Sequence, residues 1–259
     1  MNRFEIICGD ALKVLPTLPA GEFAAVITDP PYGKSLSNHF DGHSKRRAKS
    51  YFVENDDSQH VGLTVLEWCE IQELPTLFFA DPALPWPGKW RNRLVWDKGG
   101  AVGGGGDVKT CWKQTWELIQ VARNGALNGP RENAVLSFPM LPADSALHPA
   151  QKSVPLMEYL IQKLTQPGDL VLDPFMGSGR TGVACLRTGR RFLGIEIDAN
   201  YCQIAKESLE AESGQFSPRV FGGLFAEEAH CPENLVRPTD SVPAPDGARI
   251  ATEREKGGD

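Results

Sequence analysis

The chain has 259 residues, of which 41% are hydrophobic and 23% charged, with a formal net charge of −6. Those fractions suit a globular protein with one substantial core or two small ones. No stretch reaches the ~18 uninterrupted apolar residues of a membrane helix, and Glu5 and Asp10 interrupt the first apolar run, against a signal peptide. The whole-chain charge hides an asymmetry. Residues 207–259 hold 11 Asp+Glu against 5 Lys+Arg, whereas residues 1–206 hold 22 of each. Within that neutral body, 34–49 carries five Lys/Arg against one Asp, and 89–113 carries six against two. Two basic patches suit a polyanionic partner, and equally two solvated loops.

In chain order, "FEIIC" (4–8) reads as a strand and 10–15 as a short helix. "AAVIT" (24–28) is a second strand, running into Asp29-Pro30-Pro31-Tyr32. Residues 33–60 are polar, basic and aperiodic, a long loop. "VGLTVLEWCEIQ" (61–72) has helical spacing of apolar residues, and "TLFFA" (76–80), "RLVW" (93–96) and "WELIQVA" (116–122) read as strands. Residues 99–106 hold six glycines, and 123–147 is irregular. The C-terminal half alternates helix 154–164, strand 170–173, helix 180–188, strand 191–197 and helix 201–211. That alternation specifies a parallel, helix-covered α/β sheet. Beyond about Gly214 periodicity fades and Pro, Gly and charge rise, so the tail is expected to be disordered. The six cysteines (8, 69, 111, 185, 202, 231) form no C-x-x-C and read as reduced thiols of a cytoplasmic protein.

In "LDPFMGSGRTG" (172–182), Gly177, Gly179 and Gly182 spell G-x-G-x-x-G, and Glu196 follows Gly177 by 19 residues. A glycine turn lets backbone approach a ligand, the following helix offers free N–H groups, and Glu196 can accept from ribose hydroxyls. NAD and S-adenosylmethionine both fit. Asp173, immediately before the glycines, favours the cationic sulfonium and disfavours a pyrophosphate. A bare strand–helix turn is the plain alternative.

"TDPPYG" (28–33) sits at the end of a buried strand. The Asp29 carboxylate and Pro30 carbonyl can converge on one amino group, while Tyr32 offers a face for a base. Two acceptors on an exocyclic amine hold its lone pair out of ring conjugation and aim it at an electrophilic methyl. Positioning and electrostatics then carry the catalysis. A plain Pro-Pro turn is the alternative reading.

With these residues the sequence resembles the amino-group DNA methyltransferases. "DPPY" (Asp29, Pro30, Pro31, Tyr32) matches their catalytic motif and "DPFMGSGRTG" their cofactor motif. The order, catalytic motif first, resembles the β class. "HPAQKSVPL" (148–156), "GIEID" (194–198) and "ICGDAL" (7–12) resemble further segments of that class. The resemblance implies a Rossmann-like S-adenosylmethionine-dependent methyltransferase fold: a seven-stranded, mostly parallel sheet with one antiparallel strand and helices on both faces. It implies a methyltransferase domain over 1–213, divided into a catalytic half 1–122, a short target-recognition segment 123–147 and a cofactor half 148–213, with the tail at 214–259. Cofactor contacts fall on Asp10, Lys152, Ser153, Asp173, Pro174, Phe175, Gly177, Ser178, Gly179 and Glu196. The implied reaction is methyl transfer from S-adenosylmethionine to N6 of an adenine flipped out of double-stranded DNA, adenine being favoured by "DPPY" over "SPPY". Cytosine N4 is the alternative, and an NAD-dependent dehydrogenase or an inactive DNA-binding protein are more remote readings.

Lys45, Arg46, Arg47 and Lys49 are expected on phosphates. Arg180 and Ser153 depart from the family's usual Thr and Pro. Arg180 suits either the cofactor carboxylate or solvent. His39, Asp41 and His43 invite a metal reading, but Gly42 and the irregular context oppose it, and no metal or membrane is expected. His148 is expected to orient local backbone. The implied location is the cytoplasm of a bacterium, for a bacterial or phage protein, and a homodimer is left open.

Overall fold

The computed structural model describes residues 3–31, 59–99, 112, 114–122, 127–139 and 152–214. Tyr32, His39, Lys45, Arg46, Arg47, Lys49, His148 and the tail past Gly214 lie outside the described residues.

Eight strands form one sheet: β1 Phe4–Cys8, β2 Phe23–Thr28, β3 Thr76–Ala80, β4 Asn92–Asp97, β5 Trp116–Ala122, β6 Val135–Ser137, β7 Leu170–Asp173 and β8 Arg191–Glu196, in the order β1-β8-β7-β2-β3-β5-β4-β6. β5 pairs antiparallel with β3 and β4, and every other pairing is parallel. The expected seven strands with one reversed gain an eighth. β6 falls in the stretch read as irregular and lies parallel to β4, with Val95 opposite Val135. Only Leu136 of its three residues is buried, which leaves a sequence reading no alternation to find.

Five helices cover the sheet: α1 Ala11–Val14, α2 His60–Ile71, α3 Val154–Leu164, α4 Arg180–Arg187 and α5 Ala199–Gly214. Met157, Leu160, Ile161 and Leu164 give α3 one buried stripe at i, i+3, i+4 and i+7. β3 is buried throughout and, after Thr76, apolar, as suits a strand covered on both faces. Its alternate residues divide between two cores. Leu77 and Phe79 pack with residues of α3, α4 and α5, whereas Phe78 and Ala80 pack with residues of α1 and α2. Helices thus lie on both faces, as expected.

The two halves of the chain meet at the β7/β2 boundary, where Val26 is opposite Leu172. From β2 the chain passes through α2 to β3 on one side. From β7 it passes through α4 to β8 on the other. Chain ends diverge there, which places a crevice beyond the carboxyl ends of the two strands. Because β5 alone is reversed, its first residues, Trp116 and Glu117, share that edge.

One expectation is corrected. Cys8, ending β1, and Cys202, in α5, are joined by a disulfide with Cα atoms 6.1 Å apart. Cys69 and Cys185 are free and buried, as read. The paired cysteines are 194 residues apart, and only the docking of α5 beside β1 brings them together. No helix among the described residues is long and apolar enough to cross a membrane.

Candidate active site

Asp173 closes β7 at the boundary and is 3% exposed. Its Oδ1 accepts from the Thr28 hydroxyl (2.6 Å) and from the Phe175 N–H (3.1 Å), and its Oδ2 from the Thr181 hydroxyl (2.6 Å). Burial pushes its carboxyl up to about 6, the Asp29 charge adding to the push against the pull of these hydrogen bonds. Both oxygens of this carboxylate, expected beside a sulfonium, are engaged by the protein, and Asp173 ties the end of β2 to the start of α4.

After it, Pro174 is buried and Phe175 half-buried. The Met176 N–H donates to the Ile195 carbonyl (3.0 Å), which binds the turn to β8. The Gly177 N–H donates to Glu196 Oε2 (2.9 Å), and the Asp198 N–H to Oε1 (2.9 Å). Burial pushes the Glu196 carboxyl up, while the backbone donors pull it down. Ser178 is buried. Gly179 caps α4 in the left-handed region (φ 79°), and a Cβ there would come within 3.0 Å of the Ala205 Cβ in α5. Glycine is required on both counts. Arg180 is half-buried, and burial lowers the pKa of its guanidinium.

Cys8 is the register partner of Glu196, and the Gly9 N–H reaches the Glu196 carbonyl (2.8 Å). Asp10 follows, capping α1 through the Leu12 N–H (3.0 Å) with Lys13 at 3.8 Å. Asp10, Glu196 and the 173–179 turn, separated by up to 186 residues in sequence, therefore share one edge over three neighbouring strand ends.

Asp29 and Pro30 follow β2 on the other side of the boundary. Pro30 is buried beneath α2. A Cβ at Gly62 would lie 3.2 Å from Pro30 and 2.4 Å from the Trp86 ring, so the α2 backbone presses directly on both. Trp86 is fixed in turn, its Nε1 donating to the Phe79 carbonyl (2.8 Å) and its backbone N–H to Gln120 Oε1 (2.8 Å).

Lys152, expected as a cofactor contact, places its ammonium 2.6 Å from Asp29 Oδ2 and 2.9 Å from Glu117 Oε2, while Lys98 pairs with the other Glu117 oxygen. The ammonium lies 4.7 Å from the Phe79 ring centroid. Burial opposes the charge of Lys152, but Asp29 and Glu117 outweigh it and raise its pKa. For Glu117 burial likewise opposes the charge, and Lys152 and Lys98 outweigh it, lowering the pKa. Ser153 starts α3 from a buried position and makes no side-chain cap bond.

Thr28, Thr181, Glu117, Lys98 and Trp86 escaped the sequence reading. Only Glu117 left a signal there, as the one charge inside the apolar run "WELIQVA".

Comparison with known proteins bears on this arrangement. Residues 90–207 match the N6_N4_Mtase family model, described as DNA methylase. Over 66 residues the chain is 52% identical to the Type II methyltransferase M2.DpnII of Streptococcus pneumoniae, which is 26% of this chain and 25% of that protein. It is 26% identical over 249 residues to the DNA adenine methyltransferase YhdJ of Escherichia coli K12, covering 80% of this chain and 83% of YhdJ. The crystal structure of an M1.HpyAVI–SAM complex superposes with a TM-score of 0.56 at 24% identity, over 79% of this chain and 98% of that one. The fold is that of the S-adenosylmethionine-dependent methyltransferases. The family model and these two relatives are DNA methyltransferases by description.

Proposed function

We propose that the chain transfers a methyl group from S-adenosylmethionine to the N6 amino group of an adenine flipped out of double-stranded DNA. One observation carries the reading. Asp29 and Pro30 leave β2 beside the glycine turn that leaves β7, and the Thr28–Asp173 hydrogen bond locks the two together. An amine acceptor and a nucleoside-binding turn thus share one crevice.

The cofactor side fits its ligand. Glu196 holds one backbone N–H on each carboxylate oxygen and keeps further lone pairs for a ribose diol. Asp10, at the next strand end, suits an adenine edge, and Gly177 and Gly179 keep the turn free of side chains. S-adenosylmethionine, once bound, supplies a methyl group made electrophilic by the sulfonium. The fixed negative charge of Asp29, backed by Asp173, suits that cation better than a pyrophosphate, which favours it over NAD. The same fold carries S-adenosylmethionine in M1.HpyAVI.

Asp29 and the Pro30 carbonyl accept the two amine hydrogens and direct the lone pair. As nitrogen gains positive charge in the transition state, the Asp29 carboxylate stabilises it. Tyr32 supplies the stacking face. A base inside a duplex cannot reach such a crevice, so flipping is required. Residues 148–213 form the cofactor half and 1–122 the catalytic half of one domain. Lys45, Arg46, Arg47 and Lys49 hold phosphates in this reading.

Cytosine N4 is the second reading, favoured by a family model that spans both amines. Mass analysis of nucleosides from DNA treated with the protein separates the two. N6-methyladenine is expected, N4-methylcytosine would transfer the reading to cytosine, and unmodified DNA would reject both. Asp29→Asn is expected to keep S-adenosylmethionine binding by calorimetry and lose methyl transfer.

A further inference from the structure

We propose that Lys152 is the positioning residue for Asp29: its ammonium, divided between Asp29 and Glu117, fixes the carboxylate that grips the target amine. The inference rests on the amino-group methyl transfer proposed above.

Three separate elements converge to make this contact. Asp29 follows β2, Glu117 lies in the reversed β5, and Lys152 immediately precedes α3. The two distances, 2.6 and 2.9 Å, are those of charge-assisted hydrogen bonds. The Lys152 side chain is 9% exposed and stands over the Phe79 and Trp96 rings, at 4.7 and 6.0 Å from their centroids. A cation in such surroundings is held only where carboxylates meet it. Lys98 engages the second oxygen of Glu117, so the Glu117 anchor is itself held. Asp29 and Glu117 balance Lys152 and Lys98 in charge.

The arrangement answers a specific difficulty. Asp29 lies close enough to the buried Asp173 for its charge to push that group toward protonation. Two neighbouring carboxylates repel one another, and an Asp29 side chain displaced by that repulsion would no longer meet the amine. Asp29 faces Lys152 and Asp173, and Lys152 faces Asp29 and Glu117. Lys152 is the cation in that set which offsets Asp173. It also aims the carboxylate, since an Asp29 rotamer turned away from the crevice edge would break the 2.6 Å contact.

The test uses the full chain, unmethylated bacteriophage genomic DNA and S-adenosylmethionine with a labelled methyl group. Lys152→Met is expected to lower kcat about 100-fold, the scale set by misplacing a reacting group by about 1 Å, with KM for S-adenosylmethionine unchanged. Lys152→Arg, which retains the charge, should recover part of kcat. Lys152→Met alone leaves Lys98 as the one cation for two carboxylates, Asp29 and Glu117, so the double variant Lys152→Met/Glu117→Gln restores charge balance. It should melt near the wild-type temperature and still show the low kcat. A folded double variant with wild-type kcat overturns the proposal, as does a loss confined to KM for S-adenosylmethionine, which would return Lys152 to the cofactor. Failure of the underlying function looks different, since wild-type protein would then label no DNA.

Discussion

The Thr28 hydroxyl donates to Asp173 Oδ1 at 2.6 Å, a bond between residues 145 apart in sequence that joins the ends of β2 and β7. It is buried, and it is the direct mechanical link between the segment carrying Asp29 and the turn carrying Gly177. Thr28→Val keeps the shape and removes the donor. It is expected to destabilise the protein by about 1–3 kcal/mol, the range for a buried acceptor deprived of its partner. Thr28→Ser should lose less. Urea unfolding of the three proteins measures both effects.

The same carboxylate gives stability a pH dependence. Asp173 titrates at about 6 in the folded chain against an ordinary 3.8. Between those values the native state binds more protons than the unfolded state, so stability falls as pH rises from about 4 to 6 and remains lower above. The contribution is about 3 kcal/mol. Asp173→Asn removes this titration, and its stability curve should lack that fall across the same window. A steeper fall in the variant would contradict the assignment.

Gly62 lies where α2 presses on Trp86 and Pro30. Gly62→Ala places a methyl 2.4 Å from the Trp86 ring. The ring is pinned by its Nε1–H bond to the Phe79 carbonyl, the backbone is held by Gln120, and the ring cannot turn aside cheaply. The expected cost is about 1–3 kcal/mol. Pro30 should shift with the ring, lowering kcat for methyl transfer while calorimetry finds S-adenosylmethionine bound as before.

Gly179 tests the opposite side of the crevice. Gly179→Ala forces a side chain into the left-handed region, at about 1–2 kcal/mol, and against Ala205. Here the affinity for S-adenosylmethionine should fall, whereas Gly62→Ala spares it. Finding the two patterns exchanged would separate the motifs from the roles proposed for them.

Much of this was readable in advance, for identifiable reasons. β3, β5, α3 and β7 occupy the predicted residues because buried strands and amphipathic helices leave local patterns of apolar spacing. Asp29, Glu196 and Asp10 could be placed at strand ends because short motifs mark those positions. What could not be read was pairing. Lys152 is 123 residues from Asp29, and its partner depends on β5 lying next to β3 in reverse, a fact of sheet order. Asp173 was recognised as a charge, but its closure by Thr28 and Thr181 depends on two other elements arriving beside it. β6 has one buried residue in three and owes its strand form to β4 alongside. The Cys8–Cys202 pair depends likewise on packing across the full length of the domain.

The reversed β5 has an evolutionary corollary. β4 ends at Asp97 and β5 begins at Trp116 on the same rim of the sheet, so the intervening residues leave and rejoin the scaffold beside Glu117. Lengthening or shortening that excursion leaves every strand register intact. Descendants of this chain can therefore gain or lose residues at that point without renegotiating the core beneath.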